Sequence, residues 1–93
     1  MLSTRTVPWL IDLNKAMHAP EEFVLRINYT DKKGKVTQRV ISPIRLVDDE
    51  AFMALCLCRE EPRRFLFSCC SSVELVSAND VLMPVEIVEV ASA

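Results

Sequence analysis

The sequence predicts a mainly β fold, a small five-stranded antiparallel sheet or barrel with one N-terminal α-helix. Apolar residues recur with helical spacing near the N-terminus, and from Phe23 onward the spacing changes to the two-residue period of a strand. With 93 residues and 51% apolar content, the chain can bury one modest core. We therefore expect one domain over 1–93, with a helix at about 7–18, a barrel at about 22–76 and a C-terminal tail at 77–93.

The first element is a short amphipathic helix over residues 7–18. Pro8 suits a first helical turn, and Pro20 ends the helix. One face is apolar and carries Trp9, Leu10, Leu13, Ala16 and Met17. Trp9 lies on this stripe, which favours core packing over a role as a stacking platform. His18 stands at the helix end, where it caps the helix or faces solvent.

An antiparallel hairpin follows the helix. Residues 23–30 alternate as in a half-buried strand, and 31–35 form a turn in which Gly34 supplies a positive φ. Residues 36–42 form the returning strand, and we expect Pro43 to end it or to mark an edge.

The remaining strands are shorter. Residues 51–58 are apolar on both faces, which indicates cover on both sides, by the N-terminal helix or by a partner chain. Residues 63–69 and 71–76 predict a fourth and a fifth strand. The apolar tail at 80–90, interrupted by Pro84, either closes a sheet edge in its own chain or adds to a neighbour's edge and makes a homodimer.

Composition excludes several classes of function. The net charge of −2 gives no overall attraction to polyanions, and a single glycine excludes a glycine-rich phosphate loop. The N-terminal residues lack a signal-peptide pattern, and no apolar run approaches the roughly 18 residues of a membrane span. We expect a soluble, cytoplasmic protein with no membrane partner.

The four cysteines do not predict a metal site. Cys56 and Cys58 are separated by one residue and Cys69 and Cys70 by none, whereas thiolate zinc sites favour two intervening residues. We expect reduced structural thiols, with a metal site and a redox switch as the weaker alternatives, and no cofactor.

The sequence does not predict an enzyme. His18 is not associated with an activated cysteine or serine, and the consecutive Glu60 and Glu61 are typical of a solvated turn. Anion binding has better support. Arg39 lies in the middle of a strand and Arg63 begins another, near aromatic surface expected from Tyr29 or Phe52. Two guanidinium groups of this kind bind phosphate or carboxylate in bidentate fashion. The alternative is that these arginines pair with neighbouring acidic residues.

An ordered set of short motifs resembles the WYL domain of bacterial regulators. The matching pieces span roughly residues 13–76 and are Leu13 with Ala16-Met17, Ile27-Asn-Tyr29, Gly34-Lys-Val-Thr-Gln-Arg39-Val-Ile-Ser-Pro43, Ala54-Leu-Cys56-Leu-Cys58-Arg59 and Arg63-Arg-Phe65. The resemblance implies an Sm- or SH3-like five-stranded barrel. It also implies a ligand-sensing module of the kind often joined to a DNA-binding helix-turn-helix.

The resemblance also implies a ligand site. Arg39 and Arg63 match family arginines, Tyr29 matches the aromatic residue of the first strand, and Arg59 matches a less constant basic position. The chain departs from the family in two places. Phe52 is the one aromatic left in the name-giving Trp-Tyr-Leu segment, and Ser68-Cys69 replaces Asp-Arg.

The sequence thus predicts a stand-alone regulatory module that senses a phosphate-bearing ligand, either a single-stranded nucleic acid or a nucleotide, and modulates a partner or transcription. The predicted ligand-binding residues are Arg39, Arg63, Arg59, Tyr29 and Phe52. The alternative is a protein-interaction or dimerisation module without a small ligand, which uses the tail and the doubly apolar third strand.

Overall fold

The computed structural model describes residues 8–57, 59–81 and 88–89. They form one α-helix and a curved antiparallel sheet with the strand order β4-β3-β2-β1-β5, in which β6 pairs separately with β2. The elements are α1 (Leu10–His18), β1 (Phe23–Thr30), β2 (Val36–Leu46), β3 (Ala51–Cys56), β4 (Glu61–Leu66), β5 (Cys70–Ser77) and β6 (Val88–Glu89). The predicted mainly β fold of five strands and an N-terminal helix is confirmed, although the sheet is not closed into a barrel.

The helix is shorter than its apolar pattern suggests. It begins at Leu10, because Pro8 and Trp9 form a turn before it, and residue 7 lies outside the described residues. Nδ1 of His18 lies 2.8 Å from the carbonyl oxygen of Asn14. The His18 ring thus bonds to a carbonyl group of the last helical turn and caps the helix, as predicted.

The β1–β2 hairpin agrees closely with its prediction. Tyr29 pairs with Thr37, and Gly34 adopts a φ of 85° in the turn. One carboxylate oxygen of Asp31 accepts the backbone N–H groups of Lys33 and Lys35, at 2.8 and 2.9 Å. These bonds hold the turn in one conformation.

The prediction that Pro43 ends or borders the second strand is wrong. β2 continues through this residue to Leu46, and β3 pairs along its C-terminal half. The register between β2 and β3 shifts between Pro43 and Arg45. Such an irregularity lets a strand accommodate a proline that has no N–H to donate.

The core lies on one face of the sheet, beneath α1. The buried residues of this cluster are Leu13, Ala16, Leu25, Ile27, Ile41, Phe52, Ala54, Cys56, Phe65 and Phe67. α1 therefore lies on the core face of the sheet, which Phe52 of β3 shares, and supplies one of the two predicted covers, whereas the second face of β3 is on the opposite side of the sheet. On that second face, Met53, Leu55 and Leu57 are half-buried.

Two further bounds differ from the prediction. β3 ends at Cys56, and Cys58 lies outside the described residues. β4 begins earlier, at Glu61, and ends at Leu66, because Phe67–Cys69 forms a 3₁₀ turn before β5.

The tail contributes one short strand to its own sheet. Glu89 and Val88 pair with Thr37 and Gln38 of β2, which is one of the two predicted arrangements. Residues 82–87 and 90–93 lie outside the described residues, and tail-mediated dimerisation stays a prediction. Within the described part of the chain, no helix is long and apolar enough to cross a membrane.

Candidate anion-binding groove

A groove of about 480 Å³ lies between β4 and the β1–β2 hairpin. We call it the basic groove. Its lining residues are Tyr29, Thr30, Asp31, Lys32, Lys33, Arg39, Arg63, Arg64, Phe65, Leu66 and Cys69. The groove thus joins residues that are up to 40 positions apart in the chain, as with Tyr29 and Cys69.

Tyr29 of β1 contacts β4, the opposite wall of the groove, through a hydrogen bond and a ring contact. Its hydroxyl oxygen accepts the backbone N–H of Leu66 at 3.2 Å, across the gap between β1 and the end of β4. Its ring meets the Phe65 ring edge to face, with centroids 5.1 Å apart. These contacts hold the curled sheet with β4 against the hairpin.

Strand register explains why Arg39 and Arg63 converge. Arg39 stands opposite the buried Ile27, and Arg63 stands opposite the buried Ala54. Directly paired residues of antiparallel strands lie on the same face of the sheet. Both arginines therefore project from the core-facing side of the sheet and reach the rim at the groove.

Arg39 is held in place by neutral partners. Its Nε donates to the Thr37 hydroxyl at 3.1 Å, and its Nη1 approaches the Cys56 sulfur at 3.8 Å. Neither partner cancels the charge of the guanidinium group. The side chain is half-buried, so its positive charge is less screened than that of a fully exposed arginine.

The groove carries a strong excess of positive charge. Its cationic side chains are Lys32, Lys33, Arg39, Arg63 and Arg64. Among the described residues of the lining, Asp31 carries the only carboxylate, and its bonds to the turn, led by that from the Lys35 backbone, lower its pKa.

The arginines differ in whether they are paired. Arg64 lies 3.8 Å from Asp48, and both side chains are about half exposed. Within the described residues, no carboxylate lies within ion-pair distance of Arg39 or Arg63. Among the described residues, the alternative of pairing with acidic side chains is therefore not seen for Arg39 or Arg63, whereas Arg64 does pair in this way.

Three of the five predicted ligand residues come together in the groove, namely Tyr29, Arg39 and Arg63. Arg59 is exposed in the β3–β4 turn and does not line it. Phe52 is 0% exposed, so its prediction as a ligand contact is corrected to a core residue. Its ring stacks on Phe65 with centroids 5.7 Å apart and supports the groove from beneath.

The prediction from the sequence missed one thiol and three of the basic residues in the groove, Lys32, Lys33 and Arg64. The sequence pattern places Lys32 and Lys33 in a turn, and the signal for a role in the groove is that two consecutive lysines lie beside an arginine-bearing strand. Cys69 lines the groove at the position where the family resemblance expects an arginine. Trp9 packs against Phe52 and Phe67, at 6.2 and 5.7 Å, which confirms its predicted packing role.

Burial favours the neutral forms of Tyr29 and Cys70. Burial is the main cause that raises the pKa of the Tyr29 phenol, so its hydroxyl stays protonated at neutral pH. Burial also raises the pKa of the Cys70 thiol to about 12, and this thiol contacts the carbonyl oxygen of Leu66. Cys56, Cys69 and Cys70 are free thiols. The described residues include no cluster of three or more candidate metal ligands.

The fold and the basic groove define a class of protein. It is a small curled antiparallel sheet with one packed helix, and the basic groove lies between β4 and the β1–β2 hairpin. No family model matches the sequence, and no curated protein matches it. Among solved structures, the chain is similar to proteasome accessory factor B/C (PafBC) of Arthrobacter aurescens, with a TM-score of 0.63 and 23% sequence identity. The match covers 81% of this chain and 12% of that chain. At this identity the likeness shows the fold, and it supports the WYL-like fold that the sequence predicts.

Proposed function

We propose that this chain is a regulatory WYL-like module that binds a phosphate-bearing ligand, a single-stranded nucleic acid or a nucleotide, in the basic groove. The observation that carries the proposal is the pair Arg39 and Arg63, two arginines on the core-facing side of the sheet with no carboxylate partner among the described residues. Unpaired guanidinium groups at a groove attract anions, and their planar forks match phosphate oxygens.

Tyr29 gives the groove its second kind of contact. The phenol is fixed by Leu66 and Phe65 and lines the groove beside the two arginines. An aromatic ring of this kind stacks with a base, and base–aromatic stacking tolerates any base. The binding is therefore expected to depend on charge and stacking, with little discrimination between sequences. The bound module then modulates a partner protein or transcription.

The proposal is tested by titrating fluorescent single-stranded DNA and RNA oligonucleotides, and a labelled nucleotide, at two salt concentrations. We expect binding by the wild-type protein that weakens as salt rises, because phosphate contacts release counterions. Arg63→Ala removes an exposed side chain and is expected to weaken binding about tenfold without unfolding the domain. Arg39→Lys keeps the positive charge and removes the planar guanidinium group. A loss of affinity in this variant therefore reports bidentate hydrogen bonding to phosphate, separately from the attraction between charges.

Arg45→Ala is the matched control. Arg45 is exposed on β2 outside the basic groove, so its removal lowers the net charge by the same amount and is expected to leave the affinity unchanged. Absence of nucleotide and oligonucleotide binding at low salt, or equal losses from Arg63→Ala and Arg45→Ala, would contradict the proposal.

A second candidate function is a protein-interaction or dimerisation module. It is favoured by large apolar side chains exposed where β2 ends, with Ile44 at 50%, Leu46 at 43% and Val47 at 39%. Adjacent exposed apolar residues are typical of contact surfaces. Sedimentation of the wild-type protein and of Leu46→Lys tests this candidate, and a monomer mass for both counts against dimerisation.

A further inference from the structure

The basic groove has two groups of cations on different parts of the fold. Arg39 and Arg63 project from paired strands, whereas Lys32 and Lys33 belong to the β1–β2 turn. The lysines are exposed, and within the described residues neither of them has an ion-pair partner. The second group was not part of the site predicted from the sequence.

Register gives the separation of the two groups. Arg39 stands opposite Ile27, and the pairing of β1 with β2 ends three residues further on, at Thr30 and Val36. At a rise of about 3.4 Å per residue, the turn begins about 10 Å beyond Arg39. An extended ligand with several phosphates can contact both groups at once while the long side chains keep relaxed conformations.

Hydrogen bonds define the conformation of the turn that carries the two lysines. Asp31 accepts two backbone N–H groups through its carboxylate, and its own backbone exchanges further bonds with Lys35 and Gly34. These bonds involve main-chain N–H and C=O groups and the Asp31 carboxylate. They do not involve the ammonium groups of Lys32 and Lys33, although the Asp31 carboxylate interacts electrostatically with Lys33.

We propose that Lys32 and Lys33 form a second anion subsite, which makes the basic groove selective for ligands with several phosphates along an extended backbone over ligands with one phosphate. This inference rests on the proposed function and adds the class of ligand. A single phosphate is satisfied at Arg39 and Arg63. A short oligonucleotide also reaches the turn.

The test compares thymidine 5′-monophosphate with an oligothymidylate of four nucleotides, for the wild-type protein and for Lys32→Ala/Lys33→Ala. The variant is expected to weaken tetranucleotide binding about tenfold and monophosphate binding less than twofold. Each lost phosphate contact lowers the slope of log affinity against log salt by about 0.7 for single strands, so the slope for the tetranucleotide falls by about 1.4.

Lys15→Ala/Arg45→Ala is the control, because it removes the same charge from positions outside the basic groove. Its affinities are expected to match those of the wild-type protein. Equal losses for the two ligands, or an unchanged salt slope, overturn the second subsite while the proposed function stands. If the wild-type protein binds neither ligand at low salt, the proposed function fails, and the second subsite fails with it.

Discussion

Arginine occurs in two contrasting environments on the same sheet. On the β1–β5 side, Arg26 stands directly opposite Glu74, and their side chains form an ion pair at 2.9 Å. On the β1–β2 and β3–β4 pairs, Arg39 and Arg63 stand opposite the apolar Ile27 and Ala54. In this register a carboxylate stands opposite Arg26, whereas apolar residues stand opposite Arg39 and Arg63.

This difference shows which arginines are available to a ligand. An exposed arginine with a carboxylate across the ladder is neutralised where it stands, and its pair contributes little to stability. An arginine that stands opposite a buried apolar residue lies on the core-facing side of the sheet. It can contribute to an anion-binding site where the curl of the sheet brings a second arginine to the same rim. Arg39 and Arg63 meet both conditions.

The largest expected effect comes from the core that both environments share. Phe52→Ala deletes a fully buried ring and is expected to lower the free energy of unfolding by about 3–5 kcal/mol. Met53→Ala, a half-buried neighbour on the opposite face, is the control and is expected to cost much less. Urea denaturation measures both variants, and similar losses would contradict the assignment of Phe52 to the core.

The next effect tests the comparison directly by adding a second carboxylate to the groove, beside that of Asp31. Cys69→Asp places an acidic group in the lining and is expected to weaken oligonucleotide binding about tenfold, or about 1.4 kcal/mol. Cys69→Arg is expected to strengthen it, and Cys69→Ser is the neutral control. Titration at constant low salt measures all three, and a loss of affinity that is the same in each variant would show that the charge of the groove is not the cause.

A smaller effect concerns the tie between the walls of the groove. Tyr29→Phe keeps the ring and removes the oxygen that accepts the Leu66 N–H, so the unfolding free energy is expected to fall by about 1 kcal/mol. Thermal and urea denaturation measure this change. Wild-type stability in the variant would mean that the bond does not help to hold β4 against the hairpin.

The smallest effect is expected on the neutralised side. Arg26→Ala and Glu74→Ala each remove one partner of an exposed ion pair, with side chains 38% and 61% exposed, and each should cost less than about 1 kcal/mol. Oligonucleotide affinity should stay at the wild-type value in Arg26→Ala. A loss of affinity as large as that of Arg63→Ala would remove the distinction between the two environments.

Local patterns were sufficient for the individual elements. The alternation of apolar and polar residues predicts β1, the position of Gly34 predicts the hairpin turn, and the apolar stripe predicts α1. Each of these elements depends on residues that are close in the chain. The bounds failed where local rules compete with tertiary contacts. β2 passes through Pro43 because a register shift accommodates the proline, and β4 begins early at Glu61 because it pairs with Cys56.

The candidate site was predicted only in part. Arg39, Arg63 and Tyr29 were found from residue type and family resemblance. Phe52 is predicted as a ligand contact because it is an aromatic residue expected near the arginines, and a strand that is apolar on both faces does not reveal which face is the core. Lys32 and Lys33 were overlooked because their position in a turn says nothing about the strand that curls towards them.

The sequence by itself therefore determined the elements of this protein and their order, since helix and strand periods are local properties of a chain. Only the tertiary structure decided which arginines lack a carboxylate and which basic residues share a groove. Those properties depend on strand register and on the curvature that carries β4 to Tyr29, and both arise from contacts between residues that are distant in the sequence.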